Sequence, residues 1–196
     1  MLTFSAAVFF LLITPGPGVL STAGVGSAFG FRPGARYILG LFIGTNLVAL
    51  AVISGLAAVV LATSEVRIFL LIASACYLVF LAARIALAGT RIAFIEATKA
   101  PGIRGGITLQ AINPKAYAVN TALFTGFAFW PESLASETLV KLLLINAIWI
   151  PIHFLWLGAG VWLHRLDLPA RIQFRINMIM ALSMLAVVAL AALAPK

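Results

Sequence analysis

Two titratable side chains stand deep inside apolar sequence, Lys115 and His153. A charged group within the hydrocarbon of a bilayer is costly and marks a pathway or a binding site by default. Lys115 lies about nine residues into its apolar segment. At 1.5 Å per helical residue that is about 14 Å, near the midplane of a core about 30 Å thick. A cation there either meets a substrate carboxylate or changes its protonation, or bonds carbonyls freed by a helix break. His153 belongs to the stripe Asn146, Trp149, His153, Trp156 and Gly160, spaced as one face of a helix. Imidazole exchanges protons near neutrality, and indole faces attract cationic amines. A hydrogen bond to a neighbouring helix is the simpler role for the same histidine.

The segment Thr14-Pro15-Gly16-Pro17-Gly18 places two prolines and two glycines near the middle of the first apolar run. Each proline removes a backbone donor and clashes with the preceding turn. Freed backbone groups are tolerated at membrane depth only where protein or a water-filled cavity surrounds them. Ile112-Asn113-Pro114-Lys115-Ala116 repeats the device later in the chain. A shift of 99 residues lays Thr14 on Asn113, Pro15 on Pro114 and Ser21 on Asn120. Thr14 and Ser21 share a face if the first helix continues past its break, as do Asn113, Tyr117 and Asn120 on the other. The helix starting behind each proline offers N–H groups and a positive dipole end to a carboxylate. The expected binding residues are therefore Thr14, Pro15, Gly16, Pro17, Ser21, Asn113, Pro114, Lys115, Tyr117, Asn120, Asn146 and Trp149, with Lys115 and His153 as proton carriers.

Other chemistries find no support. The apolar runs hold no Asp or Glu for a carboxylate relay, and no His/Cys/acid group has metal-ligand spacing. Gly16-Pro17-Gly18 lacks the strand and the Gly-Lys-Ser/Thr of a phosphate loop. Ser21 has no histidine and acid to activate it. Cys76 is the one cysteine, so a relay of two thiols within the chain is excluded. No cofactor, metal or catalytic centre is expected.

These residues must be held by membrane helices. Of 196 residues 63% are hydrophobic and 9% charged, against about 25% charged in soluble domains. The mean hydropathy of +1.15 agrees. The uninterrupted runs do not alternate as barrel strands would. We expect an all-α membrane protein with six transmembrane helices near 2–27, 37–62, 67–88, 106–130, 139–163 and 175–194. The net charge of +8 reads as membrane orientation rather than nucleic-acid binding. Arg32, Arg36, Arg84, Arg91, Lys99, Arg104, Arg165, Arg171 and Arg175 fall on one side; Arg67, Lys141 and Lys196 fall on the other. The richer side is cytoplasmic by the positive-inside rule, which puts both termini outside. The N-terminal run has no basic leader and reads as a retained helix. Three helices per half, each half led by a broken one, predict two inverted repeats within a single domain: 1–88 and 106–196, joined by a cytoplasmic connector at 89–105. Gly26/Gly30 and Gly40/Gly44, each four apart, suit close helix packing.

With Thr14-Pro15-Gly16-Pro17, Asn113-Pro114-Lys115-Ala116 and Ala75-Cys76-Tyr77-Leu78-Val79-Phe80-Leu81-Ala82, the chain resembles the LysE/RhtB family of bacterial amino-acid exporters. The resemblance covers the whole chain. It implies proton-driven efflux of amino acids or their derivatives, a bacterial inner-membrane location and a homodimer. Carried over by motif, it implies a central site of Pro15, Gly16, Pro17, Asn113, Pro114 and Lys115. Tyr117-Ala118-Val119-Asn120-Thr121 stands where the family commonly has a phenylalanine-rich stretch, and Asn177–Leu190 carries Ala, Ser and Met for the usual glycines. The partners expected are a small-molecule substrate and the lipid bilayer, with no nucleic acid. The rival readings are a passive channel or facilitator on the same scaffold and, more remotely, a membrane enzyme or redox conduit.

Overall fold

The computed structural model describes residues 1–86, 100–130, 132–166 and, from 168 to 186, all but 170, 173, 180, 181, 184 and 185. Among these residues the regular structure is entirely helical: α1 Leu2–Ile13, α2 Pro17–Phe29, α3 Phe31–Ile53, α4 Leu56–Ala62, α5 Ser64–Ala86, α6 Gly102–Ile112, α7 Pro114–Thr125 and α8 Leu134–Arg165. Most of the central connector and the end of the sixth expected span lie outside the described residues.

The prolines shape the elements as their chemistry requires. Pro17 opens α2 and Pro114 opens α7, each at a position where the missing N–H would have no helical partner. α1 and α2 have 12 and 13 residues, too few to cross alone, and meet at an angle of 51°. Together they are long and apolar enough to cross a membrane, as are α3, the first twenty residues of α5 and α8. α6 and α7, with 11 and 12 residues, form a second broken rod joined at Asn113. Leu39, Leu47, Leu50, Phe69, Ile72, Leu143, Leu155 and Trp162 are exposed, as lipid-facing side chains should be.

Several expected limits are corrected. No loop separates α2 from α3: Gly30, at φ +82, reverses the chain by itself and puts Arg32 and Arg36 in the first turns of α3. The span expected at 37–62 is interrupted by left-handed Gly55 and divides into α3 and α4. The span expected at 106–130 ends at Thr125, because Phe127, Phe129 and Trp130 are drawn into a turn by α8. α8 begins five residues before the span expected at 139–163 and so takes in Glu137. Its 32 residues measure about 48 Å, beyond the apolar thickness, which leaves room for charge near its start.

Glu137 and Lys141 pair there at 2.7 Å, both nearly inaccessible. The Glu137 carboxylate accepts from the backbone N–H of Phe129 and Trp130. The Lys141 ammonium donates to the carbonyls of Phe124 and Phe127 and faces the Phe4 and Phe129 rings. Lys115 and His153 are therefore not the only titratable groups set among the helices, and half-buried Lys115 is less enclosed than either member of this pair. A hydropathy window stops at charges, and it does not register that these two neutralise each other.

The strongest packing is between α3 and α6 and between α2 and α8. Both contacts run backbone to backbone over glycine. A side chain at Gly40 would collide with the carbonyl of Ile103, and one at Gly160 with that of Ala23. Gly26 faces Leu157, and Gly106 faces Tyr37 and Leu41. Small residues allow this approach where no hydrophobic force draws helices together. Helical residues 174–179 add a contact on α2, where the Ser27 hydroxyl meets Asn177 Oδ1 at 3.2 Å.

Candidate functional site

The two breaks face each other across a cavity of about 60 Å³. On the scale that assigns about 10–15 Å³ to one water, this holds a small hydrated ligand group. Thr14, Gly16, Asn113, Lys115, Asn120, Trp149 and His153, all singled out in the sequence, line it. Gly18, Thr45 and Gln110 add polar lining; Leu11, Leu12, Val19, Val119, Leu123 and Ile145 make the apolar part.

Lys115 joins the breaks. Its ammonium donates to the carbonyl of Thr14 at 2.9 Å. That carbonyl would ordinarily accept from the fourth residue onward, but the prolines have turned α2 away. The side chain passes directly over Gly16, where an added Cβ would stand 2.8 Å from Nζ and 2.9 Å from Cδ. Only hydrogen at Gly16 leaves space for the lysine. Lys115 thus makes the bond expected of a lysine beside a helix break and borders the cavity as well.

Asn113 organises the second break. Its side chain accepts from the Lys115 N–H at 3.1 Å and donates to Gln110 Oε1 at 3.1 Å. The α7 terminus is therefore capped from within, whereas the α2 terminus begins at Gly16, which has no side chain to cap it. Of the two helix starts expected to receive a carboxylate, the one at α2 is the open one. Tyr117 turns from the cavity and donates to the Ala111 carbonyl at 2.8 Å, taking the place of the helical donor that Asn113 has diverted. Asn120 lines the cavity while its amide donates to the Ala116 carbonyl.

His153 stacks on Trp149 at 3.5 Å between ring centres. Its Nδ1 lies 2.9 Å from the Trp149 carbonyl oxygen. A carbonyl only accepts, so Nδ1 carries hydrogen and Nε2 is the nitrogen that gains or loses a proton. Nε2 faces the start of α2, 3.5 Å from where a Cβ on Gly18 would be. The lysine and the histidine thus approach the same short stretch of backbone.

Pro15, Pro17, Ser21, Pro114, Tyr117 and Asn146 are not among the cavity-lining residues. The prolines act by shaping the backbone. Ser21 is on the side of α2 that meets α3, accepting from the Tyr37 hydroxyl at 3.0 Å and donating to the Gly18 carbonyl; the bend at residues 14–16 separates its face from that of Thr14. Asn146 pairs with Asn46 of α3. Sequence reasoning missed Gln110, Thr45 and Asn46. Gln110, one turn before Asn113, was the signal available on its helix.

From residue 9 to residue 194 the sequence matches the model of the LysE type translocator family. The chain belongs to that family. No curated protein and no solved structure matches it significantly. The translocator is thus a multi-pass membrane protein of a transporter family, with a small-molecule substrate and lipid around it. Its cavity lies between two interrupted helices and is lined by polar groups from both.

Proposed function

We propose that this translocator is a secondary exporter of amino acids or their derivatives, driven by the proton gradient across a bacterial inner membrane. The observation that carries the reading is the Lys115 ammonium bound to the Thr14 carbonyl inside the cavity. In this arrangement the lysine fastens one broken helix to the other. A substrate carboxylate entering beside the open start of α2 competes with Thr14 for that ammonium. Capture of the lysine frees the first break to move. His153 Nε2, facing the same backbone, gives or takes the proton that makes the cycle directional.

Six spans in two inverted repeats, 1–88 and 106–196 about the 89–105 connector, frame this cycle, with both termini outside. Three observations support that plan. The incoming helices α1 and α6 end 99 residues apart, at Ile13 and Ile112. The outgoing helices begin 97 residues apart, at Pro17 and Pro114, so the first break is two residues longer. The main packing also exchanges partners: the first rod lies on α8 and the second on α3. Arg32, Arg36, Arg104 and Arg165 sit toward one end of the bundle, as a cytoplasmic face requires.

The deciding experiment loads vesicles containing the purified chain with an amino acid and imposes a pH difference. Movement against the substrate gradient, dependent on that difference, is the expected result. Downhill movement alone would make the protein a facilitator.

A further inference from the structure

Resting on the export reading, we infer that the cavity selects substrates with one carboxylate and an uncharged aliphatic side chain, and rejects dibasic and dicarboxylic ones. The argument is a balance of charges. Lys115 is the one lysine or arginine among the described residues lining the cavity, and no aspartate or glutamate is among them. One substrate carboxylate therefore has a partner, set beside the uncapped start of α2. A second carboxylate finds no second permanent cation, since His153 is charged only while it carries a proton. A second ammonium finds no fixed anion and shares the space with Lys115. An unpaired charge held in such a site is expensive to desolvate.

The α-ammonium of a zwitterion fares differently. Thr45, Gln110 and Asn120 bring neutral oxygen atoms to the cavity. The apolar wall is Leu11, Leu12, Val19, Val119, Leu123 and Ile145, and Leu123 and Ile145 belong to a buried cluster with Phe4 and Val8. An aliphatic group gains from that wall; a charged or strongly polar one loses its hydration there. Val119 and Leu123, one turn apart on α7, are the specificity-determining positions.

The test is exchange in proteoliposomes loaded with unlabelled leucine, lysine or glutamate, followed by uptake of the same labelled amino acid. Leucine exchange at least tenfold faster than lysine and glutamate exchange is expected. Equal or faster lysine or glutamate exchange overturns the selectivity while leaving export intact. Exchange of none of the three overturns the export reading and this inference with it. Val119→Asp supplies the missing anion. In protein that remains monodisperse, lysine exchange should rise at least tenfold relative to leucine; an unchanged ratio removes Val119 from the specificity wall.

Discussion

Asn46 and Asn146 hold each other amide to amide, each donating to the other's oxygen, at 3.1 and 2.9 Å. The two residues are 100 positions apart, on α3 and α8. Such reciprocity is what two equivalent residues make when a two-fold axis passes between them. In the inverted-repeat reading α3 and α8 are the second spans of the two halves, so this pair marks the axis.

Removing either partner leaves a part-buried amide without its mate, at a cost of about 1–3 kcal/mol. Asn46→Ala and Asn146→Ala should each lower the unfolding temperature in detergent micelles. The double variant should be less destabilised than the two losses added, because no amide is then left alone. Strict additivity would show that the two do not act as a unit.

Lys115→Met keeps length and removes charge. Losing a charge-assisted bond worth about 1.5–3 kcal/mol should slow exchange at least about tenfold. Gly16→Ala approaches the same contact from the other side. Gly16 is extended, at φ −160, so alanine fits the backbone, and the whole effect comes from pushing the lysine aside. A smaller loss, about fivefold, is expected, and it should largely vanish in the Lys115→Met background. An undiminished rate in Lys115→Met would leave the lysine only its bond to Thr14.

His153→Gln retains an N–H for the Trp149 carbonyl and loses the titrating nitrogen. The exchange rate, measured from about pH 5 to 8, should lose its pH dependence while its maximum stays within about threefold. A profile unchanged from the parent protein would remove His153 from proton coupling.

Glu137 and Lys141 give a stability prediction. Lys141→Met strands the Glu137 carboxylate without its counter-charge and should lower the unfolding temperature. Glu137→Gln combined with Lys141→Met should cost less than Lys141→Met alone, since no buried charge remains. Thermal unfolding in micelles measures both. A double variant less stable than the single would mean that the pair contributes more than mutual neutralisation.

The breaks were legible because proline acts locally: Pro17 and Pro114 end hydrogen-bonding patterns wherever the chain goes. Lys115 and His153 stood out because charge in apolar sequence is rare. Ser21 and Tyr117 were placed by helical periodicity, which assumes a straight axis and unoccupied side chains. The bend turned Ser21 toward Tyr37, and a vacant carbonyl drew Tyr117 away. Asn46 could not be assigned from its own helix, since its partner lies on another. The start of α8 escaped for a related reason, because the charge on Glu137 is cancelled one turn later.

The glycine-lined crossings also bear on biosynthesis. α2 and α3 leave the ribosome long before α8 and α6 exist to cover them. Until those later helices insert, the backbone grooves at Gly26 and Gly40 have only lipid or an insertase against them. The N-terminal portion is thus provisional through much of translation, and a nascent chain arrested before α6 would present quality-control proteases with two unfilled grooves.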